Sequence, residues 1–335
     1  MARARVPLRL GIRRASPTPV VVIVAALAIV LAACTGGSRP DATPGPDDDR
    51  IRVVATTTVL ADLVAQVGRD RVLVTSLVPK GGEVHTYDPS PSDLRAVAAA
   101  DMIVMNGLGL DEWLAAVVEN AGADAPLIEL AEDLEGVTYL DGGHEAEDGH
   151  EDESDDDGHG SVNPHLWLDV ANAARYVERI VDALVGVATS DDDADAIRAS
   201  GAAYLERLGD LDAYASERIA AIPAEDRIIV SFHEAFPYFA EAYGLTIAGT
   251  IISNPGQDPS AGQIRALVDA IRETGAKAVF GEIQFSPDLV RTVADEAGVV
   301  VESDLYSDSL GDAPADTYEG MMRWNVDRVV AALGG

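Results

Sequence analysis

From Asp191 to Ile222 the chain carries one unbroken helical pattern. Ile197, Ala202, Leu205, Leu208, Leu211, Tyr214 and Ile219 return at helical intervals, and Pro223 stops the run. A helix of about thirty residues is roughly 45 Å long at 1.5 Å per residue. That crosses a whole domain, so the pattern predicts a strut joining two lobes, and a chain of 335 residues is long enough to give each lobe a core.

Both flanks of the strut alternate short apolar runs with amphipathic stretches. Before it, strands are expected at Ile51–Ala55, Val72–Leu77, Met102–Asn106 and Pro126–Leu130. Helices are expected near Val59–Gly68, at Pro91–Ala100 behind a Ser90 cap, and from an Asp169 cap to about Val187. After it, strands are expected at Arg227–Val230, Leu245–Ile251, Ala278–Gly281 and Val299–Glu302. Helices are expected at Glu234–Tyr243, Pro259–Thr274, Pro287–Ala297 and Tyr318–Leu333. This rhythm predicts an α/β chain of two doubly wound lobes with parallel-rich sheets. The first lobe is placed at 51–190, the linker helix at 191–222 and the second lobe at 223–335. The lobes share a rhythm but no short sequence repeat.

Two segments stand outside the rhythm. Asp141 to Gly160 holds ten acids, three histidines (His144, His150, His159) and five glycines, with no lysine or arginine. It cannot bury a core and is read as a surface loop with weak auxiliary metal affinity. The other segment is the beginning. Arg3, Arg5, Arg9, Arg13 and Arg14 precede an apolar run from Val20 to Ala33, too short to span a bilayer. Residues 1–33 thus have the form of an export signal. Leu31-Ala32-Ala33-Cys34 resembles the lipobox of bacterial lipoproteins, which implies cleavage before Cys34 and acylation of its sulfur. Residues 34–50, rich in Gly, Pro and Asp, then form a flexible tether.

Cys34 is the only cysteine, which excludes internal disulfides and thiolate-rich metal sites. The net charge of −33 excludes nucleic acid as a main partner. The remaining metal-binding chemistry lies with six histidines and the acids. Outside the acidic stretch, His85 follows the second expected strand, His165 precedes a helix, and His233 comes three residues after an expected strand. Asp308 lies just past the last one. In open parallel sheets ligands bind beyond the carboxyl ends of the strands, so these groups point to one kind of place. Three neutral imidazoles and a carboxylate make a full tetrahedral set for a divalent metal. Taken singly, each histidine is better explained as a surface or hydrogen-bonded loop residue.

At these residues the chain resembles the zinc- and manganese-binding solute receptors of ABC importers, the ZnuA/TroA/PsaA-like family. The resemblance is carried by ATTTVLADLV (55–64), GGEVHTYDPSPSDL (81–94), NPHLWLD (163–169) and SFHEAFPYFAEAYGL (231–245). It continues in PSAGQIRALVDAI (259–271), FGEIQFSPDLV (280–290) and LYSDSLG followed by TYEGMMRWNVD (305–327). It implies two lobes on a rigid backbone helix with a metal cleft between them. The implied ligands are His85, His165, His233 and Asp308. It also implies an extracytoplasmic receptor, held to the membrane by its lipid anchor, that passes metal to an ABC importer permease; a monomer is expected. A histidine at 233 resembles zinc receptors, where manganese receptors usually carry glutamate, and Glu234 is adjacent. Many members have Asp-Pro or Ser-Pro before the first histidine, where this chain has Glu83-Val84. Zn2+ is the expected cargo, with Mn2+ as the alternative.

Two other classes stay open at this level. A secreted zinc hydrolase needs an open metal position and a base, yet no HExxH pattern or Ser-centred elbow appears. Glu282, at a strand end, is read instead as a partner of a ligand histidine. A surface adhesin would rest on surface properties that sequence does not display.

Overall fold

The computed structural model describes residues 49–142, 162–253, 255–256 and 258–334. The export segment, Cys34, the tether through Asp48 and residues 143–161, with His144, His150 and His159, lie outside the described residues.

Two four-stranded sheets form the frame. The first holds β1 (Ile51–Ala55), β2 (Val72–Ser76), β3 (Met102–Met105) and β4 (Leu127–Glu129) in the order β2-β1-β3-β4. The second holds β5 (Ile228–Ser231), β6 (Thr246–Thr250), β7 (Ala278–Glu282) and β8 (Val300–Leu305) in the order β6-β5-β7-β8. Every pairing is parallel, and the second sheet repeats the strand order of the first. Parallel sheets need both faces covered, and all of β3 and all of β7 are buried. In each sheet the chain reverses direction of winding beside the first strand, which is where such sheets bind ligands.

The helices are α1 (Thr58–Gly68), α2 (Pro91–Ala98), α3 (Trp113–Ala121), α4 (Val170–Val187), α5 (Asp191–Ala220), α6 (Pro237–Tyr243), α7 (Ala261–Thr274), α8 (Pro287–Ala297) and α9 (Tyr318–Leu333). Two differ from the sequence reading. Helix α3 was not expected after the glycine-rich turn at 107–109; it closes on Gly122 in the left-handed conformation. Helix α6 begins at Pro237, not at Glu234. Proline suits a first helical position and disfavours helix in the residue before it. Residues 233–236 are thereby left as a turn, with Ala235 N–H donating to the His233 carbonyl at 2.9 Å.

Helix α5 is the expected strut. The Ser190 hydroxyl accepts from Asp193 N–H, and Asp191, Asp192 and Asp193 fill the first turn, where carboxylates favour the helix dipole. Its buried stripe is Ala194, Ile197, Gly201, Tyr204, Leu208, Leu211, Ala215 and Ile219. Ala202, expected inside, is exposed, while Leu205 and Tyr214 are half-buried. The steps of three and four residues along this stripe include small residues that a search for large apolar side chains passes over. Gly201 shows why: a Cβ there would lie 2.3 Å from Val181 Cγ2 on α4. The glycine lets the two helices approach.

One continuous core runs from Val53 and Leu63 through Tyr176, Tyr204 and Leu211 to Phe239, Phe280 and Met321, and so belongs to both sheets. Smaller clusters cover the outer faces, around Ile103 and Leu114 on the first sheet and around Ile271 and Val293 on the second. Polar ties cross between the halves as well. Trp167 Nε1 donates to the Ser307 carbonyl at 2.9 Å, and the Tyr318 hydroxyl donates to the Trp167 carbonyl at 2.7 Å. Replacing Gly201 by leucine is expected to lower unfolding free energy by about 1–3 kcal/mol through overpacking. Urea denaturation of the metal-free protein measures it, and an unchanged midpoint would remove the close-approach explanation.

Candidate metal centre

The loop after β2 carries His85. Trp113 Nε1 donates to the Val84 carbonyl at 3.0 Å, and the Tyr87 hydroxyl donates to the Leu77 carbonyl at 2.9 Å. These two contacts hold the loop on both sides of the histidine. Glu83 Oε1 accepts from the His85 N–H at 2.8 Å. His165 stands before the 3-10 turn Leu166–Leu168 that leads into α4. His233 lies two residues past β5, in the turn that Pro237 leaves unwound, and Asp308 follows β8.

The structure brings His85, His165, His233 and Asp308 together, with one donor atom from each lying within 4.8 Å of all the others. His165 Nε2 and His233 Nε2 are 3.3 Å apart. Asp308 oxygens lie 3.4 Å from His165 Nε2, 3.6 Å from His233 Nε2 and 3.9 Å from His85 Nε2. An ion about 2.0–2.1 Å from four tetrahedral ligands would space them roughly 3.3 Å apart. The observed separations are close to that. The adjacent Glu234 is not among the converging groups.

Three of the four gathered side chains, those of His165, His233 and Asp308, are held from behind. His233 Nδ1 is 2.8 Å from Glu282 Oε1, the partner expected for a ligand histidine. Glu282 Oε2 accepts from the Ser307 hydroxyl, and Gln284 Nε2 donates to Ser307 Oγ at 2.6 Å and Asp308 Oδ2 at 3.3 Å. Glu282 ends β7 at a register shift opposite β8. Gly281 permits this, since a Cβ there would lie 3.3 Å from Ser303 Cα. His165 Nδ1 is 3.0 Å from Asn163 Oδ1. Sequence reasoning named Glu282 but missed Asn163, Ser307 and Gln284. Only their nearness in sequence to the candidate ligands marks them.

The charges make a crowded site. Burial, then the His233 charge, pulls His85 down to about 3, and the same causes hold His165 well below its ordinary value. Both shifts favour the neutral ring. Burial also works against a proton on His233, but Glu282, Asp308 and Glu83 outweigh it and lift the ring to about 9. Asp308 is pushed upward by burial and by Glu83 and Glu282, against the pull of His233. Glu83 moves upward too, mainly through burial. Four buried polar atoms here have no hydrogen-bond partner among the described residues: Glu83 Oε2, His85 Nε2, Gln284 Oε1 and Asp308 Oδ1. Buried polar atoms rarely stay bare, so this donor set fits a cation that it would surround.

A family model described as "Zinc-uptake complex component A periplasmic" matches residues 53–332. The chain belongs to this family. It is a family of binding proteins rather than enzymes, which removes the hydrolase alternative. Manganese-binding lipoprotein MntA of Halalkalibacterium halodurans is 34% identical over 313 residues, covering 93% of this chain and 97% of that one. The periplasmic zinc-binding protein TroA from Treponema pallidum superposes with a TM-score of 0.74 at 26% identity, covering 85% of this chain and all of TroA. A Mn-bound periplasmic metal-binding protein from Candidatus Liberibacter asiaticus gives 0.71 at 25% identity, with the same coverage.

A buried carboxylate outside the donor set supports the His165 loop. Asp111 accepts from Thr56 Oγ1 at 2.6 Å, Asn106 N at 2.7 Å and Gly107 N at 3.0 Å. Asn106 Nδ2 in turn donates to the Pro164 carbonyl at 3.0 Å, and the Tyr176 hydroxyl donates to Asn106 Oδ1 at 2.7 Å. Burial raises Asp111 to about 6 despite these bonds. Its folded value lies above its unfolded one, so its stabilising contribution is full below about pH 4 and is lost as pH rises through 6. The expected loss is on the order of 2–3 kcal/mol. Urea midpoints of metal-free wild type and Asp111→Asn between pH 4 and 7 should diverge, the wild type losing more stability as pH rises; parallel curves would count against it.

Proposed function

We propose that this chain is the extracytoplasmic receptor of an ABC-type importer, anchored by a lipid on Cys34, that captures Zn2+ between its lobes and delivers it to the permease. Its metal ligands are the Nε2 atoms of His85, His165 and His233 and the carboxylate of Asp308. The observation that carries this reading is the convergence of those donors at spacings close to a tetrahedral shell, with His85 Nε2 and Asp308 Oδ1 left without a hydrogen-bond partner. The chain acts as a monomer, with residues 1–33 removed on export and 34–50 serving as the tether.

Zinc is placed first because three imidazoles and one carboxylate form a nitrogen-rich set, for which zinc outranks manganese in intrinsic affinity. Relatives point both ways, since MntA is named for manganese and TroA for zinc. Manganese is the second reading, favoured by the bare Glu83 oxygen close by, because manganese prefers more oxygen donors. The acidic stretch is assigned a weak auxiliary role through His144, His150 and His159.

Elemental analysis, with competitive Zn2+ and Mn2+ titration of the soluble protein starting after Cys34, tests the assignment. Zinc is expected to displace manganese. Replacing His233 by alanine should weaken zinc binding by at least about 100-fold, since it removes a ligand and leaves Glu282 facing an empty space. Affinity within twofold of wild type would refute the ligand set. Deleting 143–161 should leave the tight site intact in the same titration, and loss of tight binding would make that stretch part of the site.

A further inference from the structure

We propose that Asn163 is a positioning residue that both selects the ring form of His165 and fixes its distance from the His233 turn of the opposite lobe. The inference rests on the metal-capture reading above, and its test has a part that does not need metal.

The amide of Asn163 is buried and makes three contacts that fix which end is which. The oxygen accepts the His165 backbone N–H at 3.0 Å and lies 3.0 Å from His165 Nδ1. The nitrogen donates to the Glu234 carbonyl at 2.7 Å. Turning the amide over would set an N–H2 against a backbone N–H and an oxygen against a carbonyl. The orientation is therefore dictated by its surroundings. An amide oxygen only accepts, so Nδ1 of His165 is the ring nitrogen that carries a proton. That leaves Nε2 as the nitrogen for ligation, facing His233 Nε2 at 3.3 Å and Asp308 Oδ1 at 3.4 Å. The ring form needed for ligation through Nε2 is set before any metal arrives.

The second hand of the amide reaches across the lobes. His165 stands before α4 in the first half, whereas Glu234 follows β5 in the second and is bonded directly to His233. One side chain thus grips the candidate ligand of one lobe and the backbone beside the candidate ligand of the other. The backbone of Asn163 is held too. Its N–H donates to the Leu140 carbonyl at 2.8 Å, and its carbonyl accepts from the Tyr238 hydroxyl at 3.0 Å. That hydroxyl also accepts from Leu140 N–H at 3.0 Å. Aspartate at 163 would still accept from the ring but would have nothing to give Glu234. Alanine would do neither.

The test compares wild type, Asn163→Ala and Asn163→Asp. Imidazole 15N NMR of the metal-free proteins reads the His165 ring form. Zinc competition reads affinity, and transfer to a chelator in stopped flow reads release. Asn163→Ala is expected to lose the single Nδ1–H form and to bind zinc about 10- to 100-fold more weakly. Asn163→Asp is expected to keep the Nδ1–H form but to release zinc at least about tenfold faster than wild type. An unchanged ring form in Asn163→Ala, or zinc affinity within twofold of wild type, overturns the proposal. Release from Asn163→Asp at the wild-type rate overturns its cross-lobe half. If Asn163→Ala does not fold, Asn163→Asp decides: loss of the Nδ1–H form in it overturns the ring-selection half. If the wild type binds no metal, the capture reading fails, while the ring form still answers the first half.

Discussion

Everything near the centre of this protein answers to one constraint. Three carboxylates (Glu83, Glu282 and Asp308) share a space with three imidazoles where water scarcely reaches. Isolated charges in such a space are costly, and here only part of the cost is met inside the protein. His233 takes a proton and holds Glu282, while Ser307 and Gln284 tie down the far side. Asp308 Oδ1, Glu83 Oε2 and His85 Nε2 are left bare. A fold tolerates such frustration only where something else supplies the missing interaction, and a divalent cation does so at a stroke. The surrounding architecture holds this arrangement against relaxation. Strand ends aim the side chains, Gly281 lets β7 shift against β8, and Pro237 stops a helix from winding up the His233 turn.

The arrangement also depends on how the two halves are joined. Two similar sheets on a linker suggest independent lobes, yet the apolar interior does not divide between them. Tyr204 and Leu211 of the long helix are buried in the same cluster as Val53 of the first sheet and Phe280 of the second. Trp167 and Tyr318 add hydrogen bonds across the seam. Opening the cleft widely would expose part of this core to water, at about 25 cal/mol for each Å2 uncovered. Small rearrangements of the cleft-lining loops avoid that cost.

Much of the frame was legible in the sequence, because a parallel sheet buried on both faces writes its strands as unbroken apolar runs such as MIVM at 102–105. The strut was legible from its length. Its inner face was less so, because Gly201 and Ala215 pack through smallness. Helix α3 was hidden behind Gly107 and Gly109. The candidate ligands were visible as three histidines and an aspartate in loops, although spacings of 80, 68 and 75 residues say nothing about who meets whom; the resemblance grouped them. The side chains behind them were the least legible. Asn163, Ser307 and Gln284 are ordinary loop polars in sequence, and their roles exist only once the strand ends are side by side.

The backbone contacts around Asn163 also bear on the acidic insertion. Asp141 and Val162 pair as an isolated antiparallel bridge, just outside the Leu140–Asn163 hydrogen bond. The described ends of that stretch thus meet at one closed point. The entropy of closing such a loop grows only as the logarithm of its length, about 0.6 kcal/mol for each doubling. The place of the Asn163 contacts is therefore set by these pairings, and a change in the length of chain between them carries only a small entropic cost.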